Sequence, residues 1–477
     1  MDVDRADPAG KVARRKSRWG VRRMAAGHSS VGEVRVKPDR LHAFAMAICR
    51  ADGSSAEEAK LVADHLVLAN LFGHDSHGVG MMPAYIQNTT TGRCVRNHHA
   101  KISRDNGAVV VVDGGAGYGQ VVAKEAMDIG IERAKKHGVC VVGLVNAHHI
   151  GRIGHWAEQC ARAGLVSTHW VNVHGHKSLV APFGGVEPRF TTNPYCTAIP
   201  RKGKEPIVLD FATSQVAMGK VRVANNKRVQ MDPGLLIDAA GQPTTEPGVM
   251  YNPPFGAILP FGLHKGGGLA VICDLLAGAL TGGRTHSPRT IKKDGHDIIN
   301  NMLSVIIDPA AMGSTELFED EVETFINWVK SARPQAGVAE VLAPGEPERA
   351  RRADREKNGV PIDTATWQQL IEVARKVRLR HRDSPCRRRG VTGGTIGEDD
   401  HGKDEALLLA GLALRAQSQD RCDGDRARQE DGDGERRGLA HRAQRRRREA
   451  QSHRQDPRPV GQGHGPFRLA GDLRVPR

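Results

Sequence analysis

Between about Val36 and Val377 the apolar residues follow two rhythms in alternation. In "GSSAEEAKLVADHLVLANLFG", Gly53 to Gly73, the residues Val62, Leu66 and Ala69 recur on one helical stripe. Ser54 and Ser55 each stand three residues before a glutamate, the spacing of a capping box, and Gly73 supplies a stop. That pattern predicts a capped helix. Short apolar runs bounded by glycine or polar turns follow: "GAVVVVD" at 107–113, "VCVVGLV" at 139–145, "LVSTHWVNV" at 165–173, "PIVLD" at 206–210 and "MLSVIIDP" at 302–309. They read as strands. Helical patterns fall between them: "QVVAKEAMDIGIERAKKHG" from Gln120, a stretch from about Gly154, and "GGGLAVICDLLAGAL", Gly266 to Leu280, which reads as buried. A last helix, "TATWQQLIEVARKV", begins after Asp363, a good N-cap. The alternation predicts an α/β domain with right-handed crossovers.

Outside that region the pattern is lost. Residues 1–30 form a basic extension carrying "KVARRKSRWGVRR". Asp2, Asp4 and Asp7 speak against a targeting peptide there, and Met24 is an alternative start. After about Arg380 roughly a fifth of the residues are arginine, Lys403 is the only lysine and Phe467 the only aromatic. Such a segment buries too little apolar surface to offset its ordering entropy. Arginine-rich, almost lysine-free text is also what a shifted reading frame in a GC-rich gene gives. The expected organisation is therefore an extension at 1–30, a catalytic and cofactor-binding region at 31–379, and a disordered or out-of-frame tail at 380–477.

Composition narrows the classes. The 477 residues are 39% hydrophobic, 26% charged and only 4% aromatic, so the core must rest on Ala, Val, Ile and Leu. No apolar run approaches the roughly 20 residues of a membrane helix. The eight cysteines are scattered without a Cys-x-x-Cys pair, which argues against a zinc site or a disulfide scaffold and fits the cytoplasm. The formal net charge of +15 raises a nucleic-acid reading, but the excess sits largely at the two ends. No membrane and no specific nucleic-acid partner is expected.

Candidate chemistry centres on "LVNAHHIGRIGHWAEQC", Leu144 to Cys160. Asn146 to His149 close a strand, where open α/β sheets bind ligands. A neutral imidazole is the usual base for an alcohol proton. Gly151, Arg152 and Ile153 open the next helix, whose amides and arginine charge predict an anion site suited to a pyrophosphate. In "GHDSHGVGMMPAY", Ser76 and His77 form a hydroxyl–imidazole pair, and Gly78 lets a ligand approach the backbone; a bare helix cap is the alternative. Asp210 ends "PIVLD" and is placed to orient a histidine or cap a helix. His264 and Lys265 precede a glycine-opened helix, either an anion site or a solvated loop. "GGAGYG", Gly114 to Gly119, fails the dinucleotide fingerprint because Gln120 stands where the third glycine belongs; it reads as a tight strand-to-helix turn.

Taken in order, "GHDSHGVGMMPAYIQ", "NAHHIGRIGHWAEQCA", "VAPFGG", "TTNPY", "VLDFATS" and "HKGGGLA" resemble the malate/L-lactate dehydrogenase family, from about Gly32 to Lys376. This family is distinct from the Rossmann-type lactate and malate dehydrogenases. The resemblance implies a family-specific, non-Rossmann cofactor fold, NAD or NADP as cofactor, a small 2-hydroxy or 2-oxo acid as substrate, and a homodimer. It implies His149 as proton acceptor, Ser76 and His77 at the substrate and nicotinamide, and Asp210 as the carboxylate grouped with them. It implies cofactor contacts from His77, from Gly151, Arg152 and Ile153, and from Val208, Leu209, Asp210, Phe211 and Ala212. Later contacts fall on His264, Asn300, Gly345, Glu346, Pro347 and Glu348, and no metal is implied. Many relatives carry arginine three residues after "SHG". Here that position is Met81, as in the branch that interconverts 2-hydroxycarboxylates and 2-oxocarboxylates of the hydroxyphenylpyruvate type, so the substrate carboxylate needs another partner. The alternatives are a cyclic-imine (Δ1-piperideine-2-carboxylate) reductase or a ureidoglycolate dehydrogenase of the same family, with a nucleic-acid-binding protein as a distant third.

Overall fold

A strand β1 (Glu33–Val36) opens the fold and leads into the helices α1 (Pro38–Asp52), α2 (Ala56–Leu71) and α3 (Met82–Thr90) in a computed structural model that describes residues 32–291 and 296–382. The extension at 1–30, and the tail at 380–477 apart from its first three residues, lie outside the described residues. Ser55 caps α2 by accepting the Glu58 amide at 3.1 Å, so the second serine of the pair sets the start.

The middle of the chain runs β2 (Lys101–Asn106), β3 (Val109–Asp113), α4 (Gly119–His137), β4 (Val139–His148), α5 (Gly154–Arg162), β5 (Val166–His176), β6 (Tyr195–Arg201) and β7 (Lys204–Phe211). Next come α6 (Met218–Lys227), the two-residue strands β8 (Leu236–Ile237), β9 (Pro243–Thr244) and β10 (Ala257–Ile258), and α7 (His264–Cys273), which widens into a π-helical stretch at Asp274–Leu280. The last elements are β11 (His296–Ile307), α8 (Thr315–Lys330), α9 (Glu346–Asn358), β12 (Val360–Asp363) and α10 (Thr364–Arg382). Asp363 caps α10, accepting the Thr366 amide at 3.0 Å.

Seven strands form one sheet in the order β2-β3-β4-β11-β5-β6-β7. Only β3 and β4 pair in parallel; the other neighbours are antiparallel. The mixed α/β class holds, but the sheet is not built from successive parallel crossovers. β11, from late in the chain, inserts between β4 and β5 and pairs with both. "GGAGYG" is the turn between β3 and α4, as its failed fingerprint predicts. A second, small sheet holds β8, β9 and β10, and β1 pairs with β12.

Two main cores follow. One lies between the sheet and α4 and α5, around Val142, Leu144, Trp156 and Ile306. The other holds α1, α2, α3 and α10 together around Leu41, Leu66, Tyr85 and Leu370. The "GGGLAVICDLLAGAL" helix departs from its sequence reading, because Val271, Ile272, Leu275 and Leu280 are 40–67% exposed.

Candidate active site

The end of β4 is bent before it reaches the histidines. Its register against β11 slips between the Asn300–Ala147 and Met302–Leu144 pairs, leaving one extra residue on β4. Asn146 takes the strain, at φ +55°, a left-handed value that asparagine tolerates. Its amide donates to Asn301 Oδ1 at 2.9 Å. Such a bulge re-aims the residues after it, here His148 and His149. His148 is fully buried and its Nε2 accepts from Asn88 Nδ2 at 2.9 Å.

His149 is held from behind. Its Nδ1 lies 2.6 Å from the Tyr85 hydroxyl, which accepts from Gln120 Nε2 at 2.9 Å. Gln120 Nε2 also donates to the His149 carbonyl at 3.3 Å. A hydroxyl between these groups can donate to a bare Nδ1 or accept from a protonated one. Nε2 of His149 is left for a substrate oxygen.

Across from His149 lies the turn 75–81. Its ring stacks with that of His77, centroids 5.5 Å apart and planes 5° from parallel. Ser76 Oγ is 3.0 Å from His77 Nδ1. Asn70, at the end of α2, fixes this turn: its Oδ1 accepts the Val79 amide at 2.8 Å and its Nδ2 donates to Asp75 at 2.7 Å. Arg355 of α9 grips the same aspartate at 2.6 and 3.0 Å. Gly78 makes room for Asn70, since an added Cβ would lie 2.2 Å from its Oδ1. The sequence reading that reserved Gly78 for a ligand is corrected accordingly.

Burial sets the electrostatics. It drives the His149 imidazole well below its ordinary pKa, helped by the neighbouring His77 and His148. His77 is pushed down to about 4, by burial first and then by His74, while Asp210 pulls the other way. Burial alone takes His148 to about 4. At neutral pH these imidazoles are uncharged, the form a base needs.

The start of α5 differs from its sequence reading. The Ile150 amide donates to Asn300 Oδ1, the Arg152 amide to His65 Nε2 and the Gly154 amide to Asp210 Oδ2, each at 2.7–2.9 Å. Arg152 is 3% exposed, bonds Glu158, lies 3.8 Å from Asp210 and sits 4.3 Å over the Phe72 ring. Burial alone would raise the Glu158 carboxyl, but Arg152 holds it below its ordinary value. This helix start is therefore internally paired and is not an open anion site. Asp210 forms no hydrogen bond to His77; it caps α5 and reaches His77 only through its field.

A cavity of about 270 Å³ adjoins this cluster. Of the sequence-derived cofactor set, Arg152, Val208, Leu209, Asp210, Gly345, Pro347 and Glu348 line it, joined by His74 and Phe72. The others lie elsewhere. Ile153 is buried in the sheet core, and Phe211 packs on the rings of Tyr195 and Phe261. Gly151 backs onto His65, and Ala212 follows β7 without lining the cavity. Asn300 is fully engaged between the Ile150 amide and the Asn172 carbonyl, so it shapes the loop before α5. Glu346 pairs with Lys330 at 2.6 Å, and His264 is exposed beside Phe183. Tyr85, Gln120 and Asn70 are site residues that sequence reasoning missed. Tyr85 stood inside a quoted motif, but nothing local signals a partner 64 residues on.

Comparison with known proteins covers the same region. Residues 36–371 match the family described as malate/L-lactate dehydrogenase. Hydroxycarboxylate dehydrogenase B of Escherichia coli is 48% identical over 354 residues, 74% of this chain and 96% of that protein. A malate/lactate dehydrogenase structure from E. coli superposes with a TM-score of 0.69 at 47% identity, covering 72% of this chain and 95% of that one. The Δ1-piperideine-2-carboxylate reductase structure from Pseudomonas syringae superposes with a TM-score of 0.62 at 29% identity, over 71% of this chain and 99% of that one. The sheet, the His149 site and these matches coincide along the sequence, and the chain belongs to the malate/L-lactate dehydrogenase family as an NAD(P)-dependent 2-hydroxyacid dehydrogenase.

Proposed function

We propose that the enzyme interconverts 2-hydroxycarboxylates and 2-oxocarboxylates, with hydroxyphenylpyruvate-type acids among its substrates, through residues 31–379. The observation that carries this is the His149 imidazole: neutral, backed by Tyr85 and Gln120, and stacked on the His77 of a Ser–His pair. The cavity beside Asp210 is the candidate seat for part of the dinucleotide: Arg152 and Arg349 bring positive charge to its lining, and Val208, Leu209, Pro344 and Pro347 bring apolar surface. Bound nicotinamide would accept or supply the hydride at C2 of the acid. His149 takes the hydroxyl proton on Nε2 in the oxidative direction and returns it in the reductive one. For Nε2 to be free to take the proton, the neutral ring carries its hydrogen on Nδ1 and donates it to the Tyr85 hydroxyl both before and after the transfer, so the ring keeps its orientation throughout. Ser76 and His77 donate to or accept from the reacting oxygen. Asp210 and Arg152 line that cavity, and Asp210 also braces the opening of α5 through the Gly154 amide.

The cyclic-imine reductase reading retains support from the P. syringae neighbour, whose fold this chain shares over 71% of its length. The cytoplasmic homodimer expected from sequence is supported by six free, buried cysteines among the described residues and by the exposed apolar face of α7 and its π-helical extension. A panel of 2-oxo acids and Δ1-piperideine-2-carboxylate, assayed with NADH and NADPH by absorbance loss, tests the reading. Turnover of aryl- and alkyl-substituted 2-oxo acids is expected, and His149→Asn should lower it roughly 10²- to 10⁴-fold with cofactor binding retained. Activity on the cyclic imine alone, or a His149→Asn enzyme within a few-fold of the parent, would overturn it.

A further inference from the structure

The turn that carries Ser76 and His77 provides no cation of its own, since Met81 closes it. A 2-oxo acid carries its carboxylate one bond from the reacting carbonyl, so the group that holds it must stand beside this turn. The nearby arginines are engaged: Arg355 with Asp75, Arg152 with Glu158, and Arg351, also of α9, with Glu348. Helix α6 brings another. Gly219, in its first turn, lies so close to Ser76 that an added Cβ would sit 2.4 Å from the serine Cβ. Arg222, three residues on and therefore on the same helix face, places Nη2 3.4 Å from where a Cβ on Gly80 would stand. Its guanidinium is half-buried and has neither ion pair nor hydrogen bond among the described residues. A half-buried charge without a partner is costly unless something pairs with it. The planar fork of a guanidinium matches a carboxylate with two parallel bonds.

We propose that Arg222 binds the substrate carboxylate, replacing the charge that Met81 does not provide. This rests on the 2-oxo acid reading above, and it makes α6 a specificity element of the site. Lys220, exposed on the same helix, is the competing cation.

The test compares Arg222→Gln, Arg222→Lys and Lys220→Gln with the parent, using the best 2-oxo acid of the panel and its methyl ester. Arg222→Gln should raise KM for the acid roughly 10- to 100-fold, the worth of a charge-assisted pair. The KM for the ester, the NADH dissociation constant by fluorescence and the melting temperature should stay within two-fold or a degree or two of the parent. Arg222→Lys should fall between, and Lys220→Gln should match the parent. An unchanged KM for the acid, an equal loss for acid and ester, or a larger effect from Lys220→Gln would overturn the assignment. Oxamate titrated into the parent and Arg222→Gln enzymes with NADH bound, followed by thermal shift, decides the same question without turnover. A chain that reduces no 2-oxo acid but loses oxamate binding in Arg222→Gln would sink the proposed reaction while upholding Arg222 as a carboxylate site.

Discussion

Arg152 is enclosed by Phe72, Glu158 and Asp210; its guanidinium holds the Glu158 carboxyl below its ordinary value and opposes the burial that raises Asp210. Removing one member of such a buried set leaves the others uncompensated, at a cost of about 3–5 kcal/mol. Arg152→Met is therefore expected to lower the melting temperature by several degrees whether or not cofactor is present, and scanning calorimetry would show it. A variant with parental stability and only weakened cofactor affinity would mean that the guanidinium faces the ligand instead. The sequence made the arginine conspicuous because it stands beside the histidines and two glycines. It gave no sign of the pairing, since Glu158 lies across a turn and Asp210 arrives from β7, 58 residues later in the chain. Tyr85 is the same case reversed: its role depends wholly on a contact to His149 that no local pattern encodes.

The elements with local causes were the legible ones. Ser55 and Asp363 cap their helices where a hydroxyl or carboxylate three residues before a free amide must. The apolar runs at 109–113, 139–148 and 204–211 are strands because β-branched residues alternate or cluster there. Strand partners were not legible, because pairing is decided by which edges remain open after the chain has folded back. The bulge in β4 and the packing of α6 on the Ser76 turn belong to this second class, and both shape the site. Gly219→Val tests the second. The added side chain must push α6 away from Ser76, so kcat/KM should fall at least ten-fold while far-UV circular dichroism keeps its parental shape. Parental kinetics in that variant would show that α6 does not need its close seat on the turn.

Across the whole molecule, buried histidines tie stability to pH. Burial first, then the neighbouring His155 and Arg152, takes His65 well below its ordinary value; burial takes His155 to about 4 against the pull of Glu158; and burial alone takes His148 to about 4 and His169 to about 3. In the unfolded chain each would titrate near 6.5. Below that pH the unfolded state binds protons that the folded state refuses, so stability is complete above 6.5 and is lost as pH falls towards 4. Each such imidazole contributes about 1.4 kcal/mol per pH unit within that window. The melting temperature should be flat from pH 8 to 7 and fall steeply from 6.5 to 5 at constant ionic strength. A melting temperature that holds to pH 5 would show that these rings charge without unfolding the protein. The central place of β11 has a different consequence, one of timing. Until the ribosome has passed residue 307, β4 and β5 have no strand between them, and each keeps an unsatisfied row of backbone amides and carbonyls. From the end of β5 at residue 176 to residue 307 the nascent chain must carry two open edges, more than a quarter of its synthesis and the period in which such edges seek other chains. A message broken before codon 296 would therefore yield not a weakened enzyme but an aggregating fragment, and this fold would be a steady client for chaperones that shield strands during translation.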